Sequence, residues 1–108
     1  MPDRGDLVWL VFDPQAGREQ AGHRPALVLS PKAYNQKSGL AILCPITSQV
    51  KGYPFEVLLP AGSAVSGAIL ADHVKSLDWK VRQAKRAGKV SEKILEEVVA
   101  RLSPLLSS

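Results

Sequence analysis

The sequence predicts a mostly β domain of the α+β class: a small barrel-like sheet closed by a C-terminal amphipathic helix. Three observations carry this. Short apolar runs recur along the first three quarters of the chain, separated by turn residues. No helical pattern alternates with them, which argues against a parallel sheet. The last segment changes to a helical period.

The elements follow in order. "DLVWLVF" (6–12) is rich in strand formers and ends at "DPQAG", a turn signal. "PALVLS" (25–30) is the second strand, stopped by Ser30-Pro31. "KAYNQKSG" (32–39) reads as a helical turn or loop. "LAILCPIT" (40–47) and "PFEVLL" (54–59) are the third and fourth strands. "GAILADHVKSL" (67–77) is long enough for one bent strand, or two joined at Asp72-His73. Ser91 then supplies an N-cap, and Ile94, Leu95, Val98, Val99 and Leu102 share one helical face. Pro104 is expected to close the helix.

With 108 residues, the chain is read as one domain over 1–108. Its hydrophobic fraction of 45% is that of a globular protein and argues against disorder. The net charge of +4 favours an anionic partner. The lone Cys44 has no thiol partner for a disulfide or a metal site, so a buried core cysteine in a reducing compartment is expected. "MPDRGD" carries no apolar signal region and no run is long enough to span a bilayer. A cytoplasmic protein with no membrane partner is the expectation.

Three loops can hold chemistry. In "EQAGHRP" (19–25) a glycine turn brings a carboxylate, an imidazole and a guanidinium together within a few residues. Glycine lets the backbone approach a ligand closely, and Arg24 before Pro25 is biased to extended geometry at the start of a strand. A guanidinium there suits phosphate; the competing reading is a surface arginine paired with Glu19. "CPITSQVKGYPF" (44–55) sets Thr47 and Ser48 at a strand end, then Lys51 and two aromatics. That combination suits single-stranded nucleic acid, with charge holding phosphate and rings stacking on bases. Phe55 is expected in the core, and Tyr53 is open between core and surface. "PAGSAVSG" (60–67) is a small loop with no reactive side chain, either a mobile flap or a plain hairpin connection.

No metal-binding pattern, Walker loop or dinucleotide fingerprint is present, so neither a metal nor a cofactor is expected. His23 and His73 lie far apart in sequence, and His73 is expected to make a structural hydrogen bond beside Asp72.

"GDLVWLVFDPQAGREQAGHRPALVLSP", "CPITSQVKGYPFEV" and "GAILADHVKSLDW", in that order and spacing, resemble the MazF/PemK family of toxin endoribonucleases from bacterial toxin–antitoxin systems. The resemblance runs from Gly5 through Trp79, and the C-terminal helix is compatible with it. It implies an SH3-like small barrel. It further implies metal-independent cleavage of single-stranded RNA, including mRNA, at short motifs, leaving a 2′,3′-cyclic phosphate and a 5′-hydroxyl. On matching positions it implies Arg24 and Thr47 as catalytic residues and, as in some members of the family, Glu19 and Lys51. Glu19 is the candidate base, and His23, whose imidazole suits proton transfer near neutral pH, is the alternative. Lys51, Ser48, Gln20, His23 and Tyr53 form the expected RNA-binding set. The implied partners are RNA, a second copy of the chain, and an acidic antitoxin of the MazE kind. Two other readings stand beside it. One is a gyrase-directed toxin of the CcdB type, whose aromatic-bearing tail the ending "LSPLLSS" lacks. The other is an SH3-like RNA-binding module without catalysis.

Overall fold

The computed structural model describes residues 1–12 and 23–107. Glu19, Gln20 and the "DPQAG" turn therefore lie outside the described residues. Seven strands and two helices are found among those described: β1 (Asp6–Val11), β2 (His23–Val28), α1 (Lys32–Ser38), β3 (Leu40–Thr47), β4 (Glu56–Leu58), β5 (Ala68–Leu70), β6 (Lys75–Asp78), β7 (Lys85–Lys89) and α2 (Glu92–Leu106). The architecture is the expected one, a mostly β antiparallel sheet with a C-terminal helix.

β3 is the shared strand. One edge carries β2 in the register Ala26↔Pro45, Leu27↔Cys44 and Val28↔Leu43. The other edge carries β6 from Leu40↔Asp78 to Leu43↔Lys75, then β5 at Ile46↔Ile69 and Thr47↔Ala68. Cys44 and Pro45 fall in the gap between those two partners. A proline, lacking an N–H, is tolerated at such a break in the ladder. β4 covers the outer edge of β5, while β1 lies between β2 and β7.

The strands alternate between two apolar clusters. Leu7, Leu27, Cys44, Ile46, Val57 and Ile69 face one, which Val98 of α2 closes. Val8, Leu10, Ala26, Val28, Ala41 and Leu43 face the other. β1 and β2 are thus buried on both faces, which is why they read as continuous apolar runs. Each Leu- or Ile-sized side chain so buried contributes about 1.5–3 kcal/mol.

Two buried polar side chains inside this framework, Asn35 and Asp6, find partners nearby. Asn35 of α1 is fully buried. Its side-chain N–H groups donate to the Pro2 and Ser30 carbonyls, its side-chain oxygen accepts from the Ser30 hydroxyl, and its backbone carbonyl accepts from the Trp79 indole N–H at 2.9 Å. Asp6, also buried, accepts from the Arg86 guanidinium at 3.2 Å and ties β1 to β7.

The structure departs from the sequence reading at four points. β7, "KRAGK", has no apolar pattern and was not anticipated; its place comes from backbone pairing with β1, and its charged side chains are exposed. The fourth strand is shorter than 54–59. Pro104 does not end α2, which runs on to Leu106. The ring removes only the hydrogen bond to the Ala100 carbonyl, and Ala100 is exposed, so water can serve that oxygen. The helix face also divides: Val98 and Leu102 are buried, Ile94 and Leu95 half-buried, and Val99 exposed. Of the two readings of 67–77, the structure has two strands, β5 and β6, separated by a segment that contains Asp72-His73.

Cys44 is fully buried, and burial pushes its thiol from the ordinary 9.0 up to about 12, with the negative charge of Asp72 adding to the effect. Because the folded value is raised, stability lent by the neutral thiol holds below pH 9.0 and is lost as pH rises toward about 12. Native protein at pH 8 is expected to resist iodoacetamide, with alkylation of Cys44 tracking global unfolding in a urea series. Rapid labelling of the native state would contradict this placement.

Candidate functional site

The ends of β2 and β3 meet at an open cleft of about 890 Å³. Continuing the β2–β3 register by two pairs sets Arg24 level with Thr47, and both residues line the cleft. Arg24 holds its place through the pairing Leu10↔Arg24 with β1, next to Trp9↔Pro25. The proline after Arg24 keeps its backbone extended, as the sequence predicts. Arg24 itself is exposed, so its guanidinium faces solvent at the cleft.

Thr47 is half-buried, and its Oγ1 accepts a hydrogen bond from the Gln49 N–H at 3.0 Å. A hydroxyl with a lone pair engaged in this way still has its proton to donate. The Arg24 guanidinium and the Thr47 hydroxyl are thus two hydrogen-bond donors on one cleft, a combination that suits an anionic oxygen centre. Ser48, next in sequence, is exposed and also lines the cleft.

Of the expected site residues, Arg24, Thr47, Ser48 and His23 come together here. His23 is exposed and pairs with Val11 across β1 and β2. Lys51 and Tyr53 do not line the cleft; they stand on the loop that leaves it after Gln49. That loop is held by Glu56, whose carboxylate accepts from the Lys51 N–H at 3.1 Å and the Gly52 N–H at 2.8 Å. Gly52 takes φ +79, a conformation that favours glycine. The Lys51 ammonium lies 5.9 Å from the centroid of the Tyr53 ring, and Tyr53 is 61% exposed. The ring is therefore available to stack on a base, whereas Phe55 is half-buried.

Sequence reasoning missed several lining residues. Trp9, at 41% exposed, and Phe12 supply an aromatic wall. Lys75, at the start of β6, adds a second cation. Ala64, Val65 and Ser66 bring the "PAGSAVSG" segment to the cleft. Trp9 alternates with buried Val8 and Leu10, which was a readable signal; Lys75 had none, since only the β3–β6 pairing brings it near. Among the described residues, the lining carries Arg24, Lys75 and His23 and no carboxylate. Such a surface suits a polyanion. Also among the described residues, no three His, Cys, Asp or Glu side chains are grouped as a metal site requires.

Comparison with known proteins places the chain in a family. The model of the PemK-like, MazF-like toxins of type II toxin–antitoxin systems matches residues 3–106. The chain is 50% identical to the endoribonuclease toxin MazF of Escherichia coli (strain K12), over 98% of this chain and 95% of that one. It superimposes on the crystal structure of MazF from Deinococcus radiodurans with a TM-score of 0.89 at 57% identity, covering 99% of this chain and 97% of that one. A MazE–MazF crystal structure from the same organism gives 0.90 at 56% identity, covering 97% and 95%.

Proposed function

We propose a mechanism from one premise: this chain belongs to the PemK-like, MazF-like toxin family of type II toxin–antitoxin systems and is an endoribonuclease. The substrate is single-stranded RNA, and the reaction is an internal transesterification. The ribose 2′-oxygen forms a bond to the adjacent phosphorus while the bond from phosphorus to the 5′-oxygen breaks. The 2′-hydroxyl proton leaves to a base, and the departing 5′-oxygen takes up a proton. A 2′,3′-cyclic phosphate and a 5′-hydroxyl result, without a metal ion.

The shared position of Arg24 and Thr47 at the ends of adjacent strands carries this reading. Both donate to the non-bridging oxygens, where negative charge builds in the transition state. The cleft holds the sugar and phosphate in line, which supplies much of the rate. A guanidinium is a poor proton donor, so Arg24 acts by charge and hydrogen bonding. Glu19 is the proposed base and His23 the alternative. Loss of the acidic limb of the kcat/KM against pH profile in Glu19→Gln, but not in His23→Gln, assigns the role to Glu19. Ser48, Gln20, Lys51 and Tyr53 bind the flanking nucleotides, Lys51 by charge and Tyr53 by stacking. The whole chain acts as one domain in the cytoplasm; no described helix is long and apolar enough to cross a membrane.

Cleavage of a single-stranded RNA oligonucleotide is expected to proceed in excess EDTA. Arg24→Ala and Thr47→Ala should each lose on the order of 10²-fold or more in kcat. A single deoxyribose at the cut nucleotide should abolish cleavage. Activity that EDTA removes and Mg²⁺ restores, or a folded Arg24→Ala protein that cuts normally, would overturn the proposal.

The active form is a homodimer, the commonest closed assembly. Leu105 and Leu106 at the end of α2 are 51% and 73% exposed, and Leu58 on the edge strand β4 is 62% exposed. β4 packs against α2, so these apolar side chains can contribute to one interface. Sedimentation at micromolar concentration should give a dimer; a species of 11.6 kDa alone would contradict it.

Inhibition is by an acidic antitoxin segment that folds along the cationic cleft and excludes RNA. Antitoxin and a non-cleavable RNA should compete for the dimer, more weakly bound as salt rises. Simultaneous binding with no mutual loss of affinity would exclude occlusion.

A further inference from the structure

The 60–67 segment carries no reactive side chain, yet it forms a wall of the cleft through Ala64, Val65 and Ser66. It is a seated segment, not a loose one. The Leu59 N–H donates to the Gly67 carbonyl at 3.0 Å, and the Ser63 N–H and hydroxyl both donate to the Pro60 carbonyl. Val65 is 4% exposed within the larger core. At Ala64 the segment presses on β7 so closely that a Cβ on Gly88 would stand 2.7 Å from the Ala64 methyl.

Its last residue makes the closest approach. Gly67 has φ +125, and a Cβ there would stand 2.1 Å from the Thr47 carbonyl oxygen and 3.0 Å from its carbon. Real Cβ atoms do not come that near, and the obstacle is backbone. The next residue, Ala68, is the ladder partner of Thr47. The peptide leaving Thr47 therefore rests on the bare α-carbon of Gly67. That peptide begins the turn in which the Gln49 N–H reaches Thr47 Oγ1.

We propose that Gly67 is a positioning residue for the ribonuclease reaction: its missing side chain lets the 60–67 wall seat on the Thr47 peptide and hold the Thr47 hydroxyl toward the scissile phosphate. The proposal rests on the reading that Thr47 serves that phosphate. A side chain at 67 displaces the Thr47 carbonyl, turns the 47–49 peptide and moves the hydroxyl. Misplacement by about 1 Å in such a site can lower the rate about 10²-fold.

A matched control lies in the same segment. Gly62 also has positive φ, +89, but a Cβ there meets nothing within 4 Å. Alanine imposes backbone strain at both positions, and only at 67 does it reach Thr47. The experiment compares Gly67→Ala, Gly62→Ala and Thr47→Ala in kcat and KM on a single-stranded RNA oligonucleotide, with melting curves. Gly67→Ala should lower kcat about 10²-fold with KM little changed. Its Gln49 amide resonance should also shift. Gly62→Ala should lose melting temperature and keep both kcat and that resonance.

If Thr47→Ala keeps its kcat, the site reading itself falls and this inference with it. If Thr47→Ala loses kcat while Gly67→Ala matches Gly62→Ala, the site reading stands and the role of Gly67 is overturned. Should Gly67→Ala not fold, Val65→Ala and Val57→Ala read the same seating, since both delete core methyls but only the first loosens the wall. A lower kcat in Val65→Ala alone supports the inference; equal kcat in the two overturns it.

Discussion

A slip of one residue between β2 and β3 would turn Ala26 and Val28 out of one apolar cluster and drive Leu27 into the wrong one. Strand side chains alternate with a period of two, so register and core are one decision. Ala26, Leu27 and Val28 are all fully buried, and each contributes to holding the pairing Ala26↔Pro45, Leu27↔Cys44 and Val28↔Leu43. The same register, carried to the strand ends, sets Arg24 beside Thr47. The core thus fixes the geometry of the cleft: the residues that hold the register need no polar chemistry, and the proposed catalytic pair, Arg24 and Thr47, stands at the strand ends.

The remaining strands extend this arrangement. β3 has two partners along its outer edge, β6 and β5, and each delivers something to the cleft. β6 brings Lys75, and β5 brings Gly67 against Thr47 from the residue that precedes it. α2 closes the larger cluster with Val98, backed by half-buried Ile94 and Leu95, and leaves its acidic residues, Glu92, Glu96 and Glu97, in solvent. Asp6 is held by Arg86 between β1 and β7. None of the described carboxylates lines the cleft, and the described lining has a cationic balance suited to a phosphate backbone.

How much of this was legible follows from where the signals are stored. β1, β2, β3 and α2 were readable because their apolar side chains face a core. β7 was not, since its side chains are charged and its place depends on the unpaired edge of β1. Pro104 misled because a proline near an exposed helix end loses only one backbone bond. At the site, Arg24 was legible through the proline that follows it, and its role came with the family resemblance. Lys75 joins the cleft only through a long-range pairing. The "PAGSAVSG" segment has no reactive side chain, and its approach to Thr47 at Gly67 is a backbone contact that no local pattern encodes.

The central claim is that Arg24 and Thr47 act as a unit on one phosphate because one register places them together. A double-mutant cycle tests it most directly, comparing kcat for Arg24→Ala, Thr47→Ala and the double variant on one oligonucleotide. Residues that act as a unit are strongly non-additive. The account predicts that the double variant loses about as much as the more damaging single variant. Losses that multiply would show two independent contributions and would contradict it.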